Sequence, residues 1–202
     1  MVMEVSTAPV RVLGIGGSTR SQSMSLVALR AALKVAEEVS AETHLAAVRD
    51  LDLPLYNGER TLSEYPASLS LLLEEVRAAD AFVFSSPTYH GTISGAVKNV
   101  LDSLEFLASD QPAYLGGKPV ALVGYGGASA MNVINSIYHT VRTINGLVVP
   151  TVVILSRDVL DVEHGEVRDA TLHGRLSRMM REVIDLAQLM RLRSTISATQ
   201  SA

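Results

Sequence analysis

Residues Arg11 to Ser25 read RVLGIGGSTRSQSMS: an apolar run that breaks into a glycine- and hydroxyl-rich loop just before a helical pattern begins. A strand ending in Gly14, Gly16 and Gly17 can turn sharply. Backbone N–H groups and small hydroxyls then converge on one point at a helix N-terminus, which favours an anion. Ser18, Thr19, Ser21, Ser23 and Ser25 offer hydroxyl donors to phosphate oxygens, and Arg20 offers a planar charged fork suited to bidentate contact. The competing account is a plain βα turn with a serine N-cap, built from the same residues.

Three familiar phosphate or nucleophile loops fail on spelling. A dinucleotide G-x-G-x-x-G would need glycine at Thr19. The Gly117-Lys118 pair has Pro112 where a Walker loop needs its first glycine, and Pro119 follows the lysine. No G-x-S-x-G elbow surrounds Ser18. What remains is a hydroxyl-and-arginine loop for a terminal monophosphate, a form that flavin mononucleotide (FMN) fits.

Outward from that loop the chain alternates strand and helix patterns. Val10–Gly14 is followed by an apolar helical stripe at Leu26, Leu29, Leu33 and Ala36, then by a short strand at Thr43–Val48. The segment RDLDLPLYNGERTLSEYP carries Asp, Pro and Asn-Gly punctuation and reads as a long excursion. Pro66 suits the first turn of a helix running to about Ala79. Ala81–Ser85 (AFVFS) is continuously apolar, as a central parallel strand is. SPTYHGTISGAVKN then leads into a further helix. Pro119–Gly124 is the fourth strand, followed by YGGASAMN and a helix to about Ile144; the β-branched run Leu147–Leu155 is the fifth. A long helix from Asp169 to about Leu192 closes the pattern, and the polar STISATQSA is expected to fray.

Five strands with helical crossovers imply a doubly wound, three-layer α/β/α domain with a parallel sheet in the flavodoxin-like order 2-1-3-4-5, spanning the chain as one unit. In that order a ligand sits at the carboxyl ends of the strands beside the switch between strands 1 and 3. The loops richest in Gly, Ser, Thr and Tyr follow strands 1, 3 and 4 on that edge.

Composition agrees with this class. The 202 residues (21.6 kDa) are 48% hydrophobic but only 4% aromatic, which favours aliphatic sheet-and-helix packing. A net charge of −4 argues against nucleic acid as a partner. The absence of cysteine removes disulfides, thiolate metal sites, iron–sulfur clusters and catalytic thiols. MVMEVSTAP has no basic segment before an apolar core, and no apolar run approaches the roughly 20 residues of a membrane span. A cytoplasmic protein is expected.

GIGGSTRSQSMS, SSPTYHGTISGAVKNVLDSL and GYGGASA together resemble the NAD(P)H-dependent FMN reductase family, over about Val10 to Leu155; LPLYNGE is similar to the loop after the second strand in relatives. The resemblance implies a flavodoxin-like fold and FMN reduced by NADPH or NADH. It also implies a small electron acceptor such as free flavin, a quinone, an azo dye or a metal oxyanion, or a flavin-dependent monooxygenase served by reduced flavin. It places Ser18, Arg20 and Ser23 on the FMN phosphate, with Ser25 where many relatives carry asparagine. Pro87, Thr88, Tyr89 and His90 would lie along the isoalloxazine ring, with Gly91 and Ile93 completing the turn. Gly124, Tyr125, Gly126, Gly127, Ala128 and Ser129 would approach from the third loop. No side-chain nucleophile is required, because the cofactor carries the chemistry.

The alternative function is a non-enzymatic flavodoxin-like electron carrier, although the first loop lacks the T-x-T-G-x-T spelling of such carriers. Lys98 and Asp102 read as a surface i,i+4 pair. His44, His139, His164 and His173 lack metal-ligand spacing and read as packing or surface residues; no metal is expected. Met131 and Tyr138 form a second apolar line on their helix, and Phe106 and Val100 add to the preceding one. Both suggest a homodimer or dimer of dimers.

Overall fold

The computed structural model describes residues 8–127 and 129–200. Its elements are β1 (Val10–Gly16), α1 (Met24–Glu38), β2 (Ala41–Ala47), α2 (Val48–Leu51), α3 (Ala67–Ala78), β3 (Ala81–Tyr89), β4 (Thr92–Ile93), α4 (Gly95–Ser103), β5 (Pro119–Tyr125), α5 (Ala130–Thr143), β6 (Leu147–Val148), β7 (Val153–Leu155), β8 (Leu160–Asp161), β9 (Glu166–Val167) and α6 (Ala170–Gln200). The sheet runs β2-β1-β3-β5-β6, with β7 also paired to β5, and every one of these pairings is parallel. This is the flavodoxin-like order expected from the sequence.

Strand alternation divides the interior into two cores. Val12, Ala81, Val83, Ala121 and Val123 face α1 and α6, whereas Leu13, Ile15, Phe82, Phe84, Val120 and Leu122 face α3, α4 and α5. Because both faces are covered there, β3 over Ala81–Phe84 and β5 over Pro119–Val123 read as continuous apolar runs rather than alternating ones.

The single fifth strand expected over Leu147–Leu155 is two short strands. Pro150 has no N–H to give a ladder, and the next amide turns away: the Thr151 N–H and hydroxyl donate to the Glu182 carboxylate on α6, at 3.1 and 2.7 Å. The closing helix does not stop near Leu192 but continues to Gln200. Arg191 ties it to the body, pairing with Asp80 and donating to the Ala8 and Pro9 carbonyls at 2.8 and 3.0 Å. Residues 1–7, Ala128, Ser201 and Ala202, part of the expected leader, third loop and tail, lie outside the described residues. Among the described residues no helix is long and apolar enough to cross a membrane.

The second apolar faces divide. Val100 is buried, and Phe106 is half-buried with its ring edge-on to Tyr56 and Tyr65, at ring-centroid distances of 5.9 and 5.4 Å, so most of this second line is used within the chain. Met131 and Tyr138 on α5 do stand exposed, at 43% and 49%.

Candidate functional site

β1 approaches β3 closely at its own last residue, Gly16, opposite Ser85 in mid-β3. A Cβ on Gly16 would lie 2.1 Å from the Ser85 carbonyl oxygen, and the Gly17 N–H donates to that same oxygen at 3.2 Å. Only glycine permits this junction, which points the following loop over the end of the sheet. The loop ends at Ser23, the N-cap of α1, whose hydroxyl accepts the Leu26 N–H at 3.2 Å and lies 3.1 Å from the Ser25 hydroxyl. The Ser18 hydroxyl accepts the Arg20 N–H at 3.4 Å. Ser18, Ser23 and Ser25 are all buried, while Arg20 is exposed with its guanidinium carbon 6.0 Å from the Tyr89 ring centroid.

The second wall comes from β3, which runs four residues beyond the apolar segment AFVFS to Tyr89. It turns back through His90 and Gly91, at φ 50° and 79°, and pairs antiparallel with β4. Positive φ at both central residues is the type I′ hairpin geometry, which explains Gly91 directly. The third wall follows β5. Gly126 packs so close to Thr88 that a Cβ there would sit 2.9 Å from the Thr88 hydroxyl, whereas Gly127 faces open space.

These walls enclose a cleft of about 360 Å³ at the carboxyl edge of the sheet. Ser18, Arg20, Ser23, Ser25, Pro87, Thr88, Tyr89, Gly126 and Gly127 line it, together with Tyr125 and Ser129. His90 and Gly91 form the exposed hairpin tip, and Ile93 pairs with Thr88 and packs on the core; none of these three lines the cleft. Thr19 faces a neighbouring hollow with Arg49 and Asp52. Gln22 and Met24 also line the cleft and were missed, since neither residue type marks a phosphate loop by itself. Larger openings lie between α1, β2 and residues 162–165 (about 410 Å³) and between α4 and α5 (about 560 Å³), but neither joins hydroxyls at a helix N-terminus to an aromatic face.

The donor set fits a flavin monophosphate. Buried hydroxyls at the N-terminus of α1, with Arg20 beside them, suit a dianionic phosphate. Tyr89 and the side-chain-free edge at Gly126 and Gly127 suit a flat ring. Residues 10–159 match the family model described as NADPH-dependent FMN reductase. The chain belongs to this family. It is therefore a flavoprotein oxidoreductase with FMN as cofactor and NAD(P)H as donor.

Among similar proteins, the Oryza sativa subsp. japonica "Probable NADPH:quinone oxidoreductase 2" is 36% identical over 140 residues, 68% of this chain and 66% of the rice protein. The "NADPH azoreductase" of a Bacillus species is 36% identical over 134 residues, 65% of this chain and 69% of that one. These matches thus span about two thirds of each relative. In structure, the flavoenzyme NAD(P)H:(acceptor) oxidoreductase FerB of Paracoccus denitrificans superposes with a TM-score of 0.70 at 18% identity, covering 89% of this chain and 97% of FerB, which supports the fold.

Outside the cleft, Lys98 and Asp102 form the expected i,i+4 surface pair. His44, His164 and His173 lie beside carboxylates, and His139 lines the groove between α4 and α5.

Proposed function

We propose that this protein catalyses the NAD(P)H-dependent reduction of small acceptors, quinones foremost and azo compounds next, on FMN held in the cleft between the β1, β3 and β5 loops. The observation that carries this reading is the polarity of the cleft: buried hydroxyls and an arginine at one end, an aromatic face and a glycine edge at the other. The bound FMN supplies the two-electron chemistry, so that NAD(P)H, a proton and a quinone become NAD(P)⁺ and a hydroquinone.

This chain's own residues bind and orient. Ser18, Ser23, Ser25 and Arg20 hold the phosphate, and Pro87, Thr88 and Tyr89 flank the ring. Tyr89 is 37% exposed, so the ring end is open to solvent and admits donor and acceptor in turn. The chain works as one domain, and a second copy covers the exposed Met131–Tyr138 line of α5, which gives a homodimer.

The test is direct. Purified protein reconstituted with FMN is mixed anaerobically with NADPH or NADH, then with a panel of quinones, azo dyes and free FMN. Bleaching of the flavin followed by reoxidation is the expected course. A protein that cannot be reconstituted, or whose flavin stays oxidised with both nicotinamides, would overturn the reading.

A further inference from the structure

The end of β3 departs from the rest of its strand. After the apolar AFVF come Ser85, Ser86, Pro87 and Thr88, and both serines are fully buried. A buried hydroxyl is costly unless it is hydrogen-bonded, and the two serines, together with the half-buried Thr88, reach different elements around the cleft. The Ser85 hydroxyl donates to the Ser25 carbonyl in the first turn of α1, at 3.1 Å. The Ser86 hydroxyl, on the opposite face of the strand, donates to the Pro87 carbonyl at 2.9 Å and accepts the N–H of Ser94 at 3.0 Å. Ser94 is the N-cap of α4, so Ser86 closes the base of the hairpin that carries Tyr89. The Thr88 hydroxyl donates to the Tyr125 carbonyl at 3.2 Å, immediately before Gly126 and Gly127.

We infer that Ser85 and Ser86 are positioning residues and that Thr88, which also lines the cleft, joins them in setting the register of the three cofactor loops from one strand end, with divided duties: Ser85 orders the phosphate end, Ser86 and Thr88 the ring end. This rests on the FMN reading of the cleft. The division follows from the partners. Ser25 lies in the turn that holds the buried phosphate-loop hydroxyls, whereas Tyr89 and the glycine edge belong to the other half. Alternation along β3 makes the separation possible, since Ser85 faces the α1 layer and Ser86 the α4 layer.

The experiment compares Ser85→Ala, Ser86→Ala, Thr88→Val and Thr88→Ser with the parent, measuring dissociation constants for FMN and riboflavin and the spectrum and midpoint potential of the bound flavin. Ser85→Ala is expected to weaken FMN by about three- to tenfold while leaving riboflavin, which has no phosphate, within about twofold. Ser86→Ala and Thr88→Val are expected to weaken both flavins by similar factors and to shift the spectrum and potential. Thr88→Ser, which keeps the hydroxyl, should fall much closer to the parent than Thr88→Val does. If Ser86→Ala gives no folded protein, Ser86→Cys takes its place under the same criteria. A parent that binds no FMN would defeat the functional reading itself. A parent that binds FMN, with variants that lose thermal stability but keep its FMN-to-riboflavin ratio, spectrum and potential, would overturn this inference alone, as would Thr88→Ser behaving like Thr88→Val.

Discussion

Replacing Arg20 by alanine separates a phosphate-binding loop from an ordinary helix-capping turn. In the structure the Arg20 side chain is exposed and leans toward Tyr89, with its guanidinium carbon 6.0 Å from the ring centroid. At that distance and exposure the ring contact contributes at most about 0.5–1 kcal/mol, so the variant should fold with a melting temperature close to the parent's. The phosphate contact is larger. A charge-assisted hydrogen bond contributes about 1.5–3 kcal/mol, which corresponds to a roughly ten- to hundredfold weaker FMN complex. Exposure of the arginine favours the lower part of that range, because solvent and salt screen the charge. Riboflavin should bind parent and variant alike. Raising the salt concentration should weaken the parent's FMN complex more than the variant's, and Arg20→Lys should fall between them, keeping the charge but losing the planar fork. The assay is quenching of flavin fluorescence by apoprotein, with both flavins at two ionic strengths. Equal FMN affinities for parent and Arg20→Ala at low salt would refute the phosphate role of this residue.

Three further perturbations test other parts of the argument. Gly16→Ala drives a methyl group to within 2.1 Å of the Ser85 carbonyl and breaks the Gly17 contact to it; a loss of about 2–4 kcal/mol should lower the melting temperature by roughly 5–15 °C in scanning calorimetry and abolish FMN binding. At Glu182, desolvation pushes the carboxyl pKa upward, but the Thr151 hydroxyl and N–H, with Arg178, outweigh it and hold the pKa below the usual glutamate range. A depressed folded-state pKa stabilises above the unfolded value and is lost as pH falls through the folded one, so Glu182→Gln should cost about 1 kcal/mol at neutral pH and progressively less below about pH 4, read as melting temperature against pH. Tyr138→Glu combined with Met131→Glu places charge on the exposed line of α5 and should convert a dimer to monomers in sedimentation velocity; an unchanged sedimentation coefficient would remove this face from the interface.

The features legible from sequence were those set by apolar periodicity and by glycine. The continuous apolar run at Ala81 marks a central parallel strand, the apolar segments at Val10 and Pro119 mark two more strands, and the hydroxyl- and glycine-rich loops after all three indicate the edge on which the cleft forms. Less legible were features set by single backbone donors. The run LVVPTVVIL is rich in β-branched residues, yet Pro150 supplies no N–H and Thr151 gives its own to Glu182, so one expected strand is two. SSPTY carries no apolar signal, and its strand conformation comes from pairing with β5 on one side and β4 on the other. Likewise Phe106 reads from sequence as part of a second face, because nothing local announces that Tyr56 and Tyr65 arrive from the long excursion to pack against it.

Ser23 shows why the capping and binding accounts of the first loop are compatible. Its hydroxyl accepts the Leu26 N–H, as the capping account requires. A hydroxyl has a second lone pair and a proton, and the neighbouring Ser25 hydroxyl stands 3.1 Å away. The cap therefore uses only part of the group and fixes the direction of the rest. Capping also anchors the start of α1, so the positive end of the helix dipole lies at the same place as the buried hydroxyls of Ser18 and Ser25. In this loop the turn that ends the strand and starts the helix is itself the proposed anion site, so on that reading the local structural signal and the functional one are carried by the same atoms.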